Sequence, residues 1–454
     1  MTADLKLMKL YLAGVACLCG LGNAWSGDFA RAYDAALSND ATYQAARAEL
    51  ASVQQAVPIA RAGLLPSVSF SMSDSKVNGT RTVDDTLGNA VTSPLDYRTP
   101  SQSLNIRAPL YNREASKKFT MAQTQANYGQ VVFATRKLEL LDRLATTYLQ
   151  RLQAGQALVA ARARLIAAQS QSDLTRRQLQ LGEGTRPEVM DADAAVETAR
   201  VLVMEAQSQI EVATLNLRQI TGAQVSGLSD SLQRLEADNP QWPQPAAAPA
   251  DQLARLLDQA LASNPTIAAR RYAVEMAQAT VAINGAGHYP RLDFVASASN
   301  SRNESLSTLN QSAEQRSWGL QLNVPIYSGG AVSASVKQAL ADQDKAQAEL
   351  AAEQRSVALD LTRLFHVVVN GGPKIQARQK TVAANQLALE GAQKAFATGF
   401  NTQADVVQAQ NKLAQSRNDL AQADYEYLLA RVRLSARAGA EPDQVVVELD
   451  GLLN

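Results

Sequence analysis

Two cysteines, two histidines and 5% aromatic residues in 454 positions leave little material for catalysis, metal binding or an aromatic core. Both cysteines, Cys17 and Cys19, lie in an apolar N-terminal run; removed with a leader, they would leave a chain without thiols, excluding disulfides, thiolate catalysis and cysteine metal sites. The histidines, His288 and His366, are far apart in sequence and have no companion at metal-ligand spacing. Charge of one sign is also missing, with 43 basic against 43 acidic residues. Taking Asp4, Lys6 and Lys9 away with a leader leaves 41 against 42, a net charge of −1. No field for polyanions is implied, and no nucleic-acid partner is expected. After the N-terminal run no stretch of 18 apolar residues occurs, so no transmembrane helix is expected and a membrane could be crossed only by strands. Serine-rich segments lack a nucleophile elbow, and Gly329-Gly330 lacks a phosphate-loop lysine. No enzyme activity, cofactor or metal is expected.

The N-terminus reads as a signal peptide over residues 1–26. Lys6 and Lys9 precede the apolar run Leu10 to Leu21, and Ala24-Trp25-Ser26 fits cleavage between Ser26 and Gly27. The run is short for an uncleaved anchor. Lipidation at Cys17 is the other processing route, but Gly14-Val15-Ala16 lacks the leucine expected three residues before a lipidated cysteine.

What the chain does have is repetition. LPSVSFSMSDS (Leu65 to Ser75) returns as YPRLDFVASAS (Tyr289 to Ser299), and LNIRAPLY (Leu104 to Tyr111) as LQLNVPIY (Leu320 to Tyr327). GEGTRPEVMDA (Gly182 to Ala192) returns as GFNTQADVVQA (Gly399 to Ala409). This is a duplicated half-molecule of helix, strand, strand, long helix and helix, with a repeat far longer than that of solenoids. The expected divisions are a first repeat over 27–238, a proline-rich linker over 239–250 (Pro240, Pro243, Pro245, Pro249), a second repeat over 251–439 and a C-terminal tail over 440–454.

Four segments alternate with period two. Val68, Phe70 and Met72 alternate with serines; Leu104, Ile106 and Ala108 with Asn105 and Arg107. Leu292, Phe294, Ala296 and Ala298 repeat the pattern, as do Trp318, Leu320, Leu322 and Val324. One apolar and one polar face suits a barrel wall between lipid and water, and equally an amphipathic sheet on a soluble core. Four strands cannot close a barrel and open edges cannot sit in hydrocarbon, whereas three protomers would supply twelve strands. The hairpin connections are expected to be long polar loops, Val77 to Pro100 around Asn78-Gly79 and Ser301 to Gln315. The helices carry apolar or small residues spaced three and four apart: Val189, Ala192, Val196, Ala199, Val203, Ala206, Ile210, Ala213, Leu217 and Ile220. Val406, Ala409, Leu413, Ser416, Leu420, Ala423, Tyr427, Ala430 and Leu434 keep the same phase in the second copy. That is a left-handed coiled-coil seam, which a simple coiled-coil dimer or rod would also show. Gly155 and Gly372 are expected to break the long helices where the seam changes partner.

These features together resemble the TolC family of outer-membrane channel-tunnels. The resemblance rests on the leader, the duplicated helix, hairpin and coiled helices, the strand ends Ala108-Pro109-Leu110-Tyr111 and Val324-Pro325-Ile326-Tyr327, and the Gly-x-x-Thr tip loops. It implies a mostly α protein with transmembrane β: a homotrimer whose twelve-stranded β-barrel, embedded in outer-membrane lipid, sits on a long periplasmic α-helical coiled-coil barrel. It also implies partners, namely a periplasmic adaptor (membrane-fusion) protein and an inner-membrane ABC or other transporter, and a passive role in type I protein secretion. Small-molecule efflux is the alternative cargo class, and a periplasmic adaptor or scaffold the alternative architecture. In the family's closed tip, an arginine and a tyrosine of the second loop bond an aspartate and a threonine of the first. Here those positions carry Asn401, Phe396, Glu188 and Pro187, so the usual locks cannot form. Of the two acidic positions ringing the family's constriction, Asp405 matches and Gln408 does not. Arg186, the cation of the tip loops, is expected to seek Glu188 or Asp405; Asp405 could equally serve only its helix start.

Overall fold

A computed structural model describes residues 28–84, 86, 88–222, 249–303 and 311–453. The expected leader with Ser26, Gly27 and both cysteines, most of the expected proline-rich linker, and the centre of the second hairpin connection lie outside the described residues. The chain forms two compact units, one of residues 1–47, 133–265 and 354–454, the other of 48–132 and 266–353. Its elements are α1 (Asp28–Asn39), α2 (Ala41–Gln54), α3 (Ala56–Ala62), β1 (Ser67–Asp84), β2 (Ala90–Asn112), α4 (Arg113–Leu181) and α5 (Arg186–Thr221). There follow α6 (Pro249–Ser263), α7 (Pro265–Gly285), β3 (Arg291–Asn303), β4 (Gln311–Asn323), α8 (Ala331–Ala397), α9 (Gln403–Arg437) and α10 (Pro442–Leu453). The expected C-terminal tail thus carries a helix. None of the described helices is long and apolar enough to cross a membrane.

In the second unit the strands form one antiparallel sheet in the order β1-β2-β3-β4. The register puts Val68 beside Ile106, Ile106 beside Ala296 and Ala296 beside Trp318, while Phe70 pairs with Leu104 and Phe294 with Leu320. This apolar face is bare: Phe70 is 65% exposed and Trp318 82%. On the opposite face hydroxyls pair across strands, Ser71 with Ser103 at 2.7 Å, Ser73 with Ser101 at 2.8 Å and Ser297 with Ser317 at 2.8 Å. At the base of that face Arg107 of β2 donates to the buried Asp293 of β3 at 2.5 and 3.2 Å, tying the hairpin of one repeat to that of the other.

The first hairpin differs from its expected form. Val77 to Pro100 is no loop: β1 and β2 stay paired to Asp84↔Ala90, with Asn78 and Gly79 inside the ladder opposite Asp96 and Leu95. Proline is tolerated because, among the described residues, the outer edge of this part of β2 has no partner strand, so Pro94 and Pro100 remove no ladder donor there.

The first unit holds the core. Phe29 and Tyr33 of α1, Leu140, Leu144, Tyr148 and Leu149 of α4, Leu217 of α5, Tyr427 and Leu428 of α9, and Val446 and Leu449 of α10 are almost fully buried together. The duplication is visible in how the long helices end. Asn39, closing α1, donates to the Thr221 carbonyl at 3.1 Å, and Asn264, after α6, donates to the Arg437 carbonyl at 2.8 Å. Each asparagine therefore satisfies a carbonyl that a helix C-terminus leaves orphaned. The signal was present as Ala-x-x-Ser-Asn at Ala35 to Asn39 and Ala260 to Asn264. Asp40 caps α2 by accepting from the Tyr43 N–H at 2.7 Å and from Thr42. Burial opposes its ionisation, but these bonds and Arg143 at 3.0 Å outweigh it and hold the carboxyl below its ordinary range.

The expected helix breaks are absent. α4 runs 69 residues through Gly155 and α8 runs 67 through Gly371-Gly372-Pro373. A helical glycine costs about 1 kcal/mol and a missing proline hydrogen bond about 3. Packing meets that cost here, since the buried Tyr427 ring lies against Gly371, where a Cβ would overlap it.

Candidate functional site

The two helical hairpin tips are built alike. α4 closes with Gly182 at φ +80° and bonds from Gly182 N–H to Leu179 and from Glu183 N–H to Gln178. α8 closes with Gly399 at φ +80° and bonds from Gly399 N–H to Phe396 and from Phe400 N–H to Ala395. Only a residue without Cβ takes this left-handed turn at no steric cost. Three residues after each glycine, an extended threonine opens the next helix. Thr185 N–H donates to Glu188 at 2.7 Å, and Thr402 donates to Asp405 from its N–H at 2.8 Å and its hydroxyl at 2.7 Å. Glu188 and Asp405 are thus equivalent carboxylates, each completing a capping box. The Thr402 N–H, then its hydroxyl, hold the Asp405 carboxyl below its ordinary range.

Phe396 and Asn401 are half-buried beside the second turn, while Gln408 faces out one turn into α9. Arg186 is exposed at the first position of α5, and among the described residues it has no ion pair with Glu188 or Asp405. Exposed Leu181 and Phe400 complete the tips.

Above each tip the expected seam is the packed one. Ala192, Val196, Ala199, Ala206, Leu217 and Ile220 are buried along α5, as are Val406, Leu413, Ser416, Ala423, Tyr427 and Ala430 along α9. Polar clamps flank it: Asp193 accepts from Ser172 at 2.6 Å and Arg176 at 2.8 Å, Asp419 from Arg378 at 2.9 Å, and Glu426 from Lys374 at 2.8 Å.

One group was not foreseen. Asp424, beside the seam residue Ala423, lines a cavity of about 960 Å³ between α4, α5 and α9, with Leu149, Gln153, Gln209, Asn216 and Tyr425 among the walls. Among the described residues its buried Oδ1 has no hydrogen-bond partner, and burial pushes the carboxyl up from 3.8 to about 7. The group therefore favours folding only while neutral: the advantage is complete below the ordinary carboxyl range and is lost as pH rises toward and past 7. Asp424→Asn is expected to leave stability at pH 4 nearly unchanged and to raise it by up to a few kcal/mol at pH 8, flattening the pH dependence of thermal unfolding between those values. An unchanged slope would show that the carboxylate is solvated.

A duplicated set of capped helical hairpins joined to a sheet with a bare apolar face and a hydroxyl-lined one defines an outer-membrane channel protein. The chain belongs to the outer membrane efflux protein family, whose profile matches residues 32–223 and 256–440. It is 32% identical over 434 residues to the proteases secretion protein PrtF of Dickeya chrysanthemi, covering 94% of this chain and 91% of that one. It is 29% identical to the alkaline protease secretion protein AprF of Pseudomonas aeruginosa (96% and 89%) and 25% identical to the outer membrane protein TolC of Vibrio cholerae (98% and 98%). Among solved structures, the CmeC outer membrane channel of Campylobacter jejuni superposes with a TM-score of 0.76 at 15% identity, covering 94% of this chain and 90% of that one. CusC gives 0.75 at 18% identity, covering 91% and 92%. The resemblance read from the sequence is therefore correct, and the chain is a Gram-negative outer-membrane protein of mostly helical fold with a membrane sheet.

Proposed function

We propose that three copies form the passive exit duct of a tripartite export system, and that the cargo is a polypeptide secreted by a type I route. The carrying observation is the sheet: its apolar face is bare, its other face is hydroxyl-lined, and among the described residues β1 and β4 each pair on one side only. Unpaired backbone edges cannot lie in hydrocarbon, so β1 of one copy must pair with β4 of the next until the wall closes. Twelve strands from three copies do this with the serine face toward water. Relatives named for protease secretion, matched over more than nine-tenths of this chain, support the polypeptide cargo over small-molecule efflux. Two copies of the hairpin disfavour an adaptor or scaffold that never enters a membrane.

The tips are the proposed periplasmic gate, held by helix packing and by Arg186 acting between neighbouring copies, with Asp405 ringing the axis. No energy source is proposed within the chain, so an inner-membrane transporter and a periplasmic adaptor must drive it. Deleting either is expected to abolish protein export while the outer-membrane trimer persists, read by secreted protein in the medium and by cross-linked trimer in membranes. Export surviving both deletions would contradict the tripartite reading; loss of drug tolerance with export intact would favour the small-molecule alternative.

A further inference from the structure

Among the described residues the β1–β2 ladder outruns the rest of the sheet. β2 leaves β3 at Ser101↔Ser301, whereas β1 and β2 continue together to Asp84↔Ala90. Over that extension the polarity of the faces inverts. Below it, apolar residues Phe70, Met72 and Leu104 share the face opposite Ser71, Ser73, Ser101 and Ser103. Above it, the continuation of the serine face carries Val77, Val83, Val91, Leu95 and Tyr97, with Arg81 its one charged residue. The continuation of the lipid-side face now carries Asp74, Lys76, Asp84, Asp96 and Arg98, with ion pairs Arg98–Asp74 at 2.7 Å and Lys76–Asp96 at 3.2 Å.

A ribbon standing in water gains nothing from an apolar strip unless that strip is covered. Val83 and Val91, opposite one another near the tip, remain about half exposed within one copy. Resting on the duct reading, the strip is turned toward the axis of the barrel, and what lies across that axis is the same strip of the other copies. Reach is sufficient. The eleven residue-to-residue steps from Ser73 to Asp84 span about 37 Å at about 3.4 Å each, whereas a barrel of twelve strands about 4.8 Å apart and tilted about 40° has a radius of about 12 Å.

We propose that the β1–β2 ribbon is an outer lid: the three ribbons lean over the barrel mouth and dock through their apolar strips, their charged faces outward. Closure by apolar contact between three identical strips is reversible, as an exit for cargo requires.

The test places a cysteine on each face of the ribbon in the full-length chain, in outer membranes. Oxidation of Leu95→Cys, or of Val83→Cys nearer the tip, is expected to give disulfide-linked dimers on non-reducing gels. Arg98→Cys, on the charged face, and the parent chain should give none. A second readout uses Ser103→Cys, on the serine face below the lid, labelled from outside intact cells: adding Leu95→Asp should speed a bulky maleimide several-fold and leave a small one unchanged. Dimers absent from both apolar-face variants, or equally abundant from Arg98→Cys, would overturn the lid, as would a bulky-reagent rate unaffected by Leu95→Asp. Amine cross-linking of the same membranes reports the trimer separately; its absence would overturn the duct reading and the lid with it.

Discussion

Gly371→Val is expected to destabilise the protein by about 3 kcal/mol or more, whereas Gly372→Ala, one residue on, should leave it unchanged or stabilise it by up to about 1 kcal/mol. A Cβ at 371 meets the ring of Tyr427, which is 1% exposed and lies in the same buried core as Leu144, Leu428 and Val446, so it has little room to give way. A Cβ at 372 meets nothing within 4 Å. Even Gly371→Ala should lose, because the helix-propensity gain of about 1 kcal/mol is smaller than the usual cost of overpacking, about 1–3 kcal/mol. Thermal unfolding followed by circular dichroism in detergent decides; equal effects at the two glycines would mean that α8 does bend there.

The second large effect concerns the proposed gate. Asp405→Asn should reduce cation selectivity and block by multivalent cations in planar bilayers, since three copies lose three axial charges at a narrow opening. Asparagine can still accept from the Thr402 N–H, so the start of α9 survives and the charge alone is removed. That separates the channel role of Asp405 from its capping role. Arg186→Glu should raise single-channel conductance. Exposed ion pairs contribute about 1 kcal/mol or less each, but three-fold repetition multiplies them and the substitution reverses their sign. If both substitutions leave conductance, selectivity and block unchanged, the tips are not the constriction.

What was legible in the sequence was whatever repeated in phase. The seam from Val189 to Ile220 and the alternation at Val68 to Met72 each hold one face over several residues, and the structure buries the seam and bares the apolar sheet face accordingly. The upper hairpin was not legible because the phase breaks: apolar positions step from Met72 to Val77, an odd interval that moves them to the other face. With Asn78-Gly79, Pro94 and Pro100 added, the segment carries the chemistry of a loop while the backbone stays a ladder. Gly155 and Gly372 misled for the opposite reason, since a local propensity cost of about 1 kcal/mol is small beside the packing of a helix nearly 70 residues long. Arg107 with Asp293, and Asn39 with Thr221, could not be paired from sequence because their partners lie 186 and 182 residues away. The unsatisfied oxygen of Asp424 depends on which neighbours surround it, which no periodicity records.

The most direct measurement of the central claim is the mass of the mature protein purified from outer membranes in mild detergent, by light scattering corrected for bound detergent. Closure of an open four-stranded sheet predicts three chains per particle, each of 48.6 kDa less the expected leader, aggregating when detergent is withdrawn. A monodisperse single chain, stable in buffer without detergent, would contradict it.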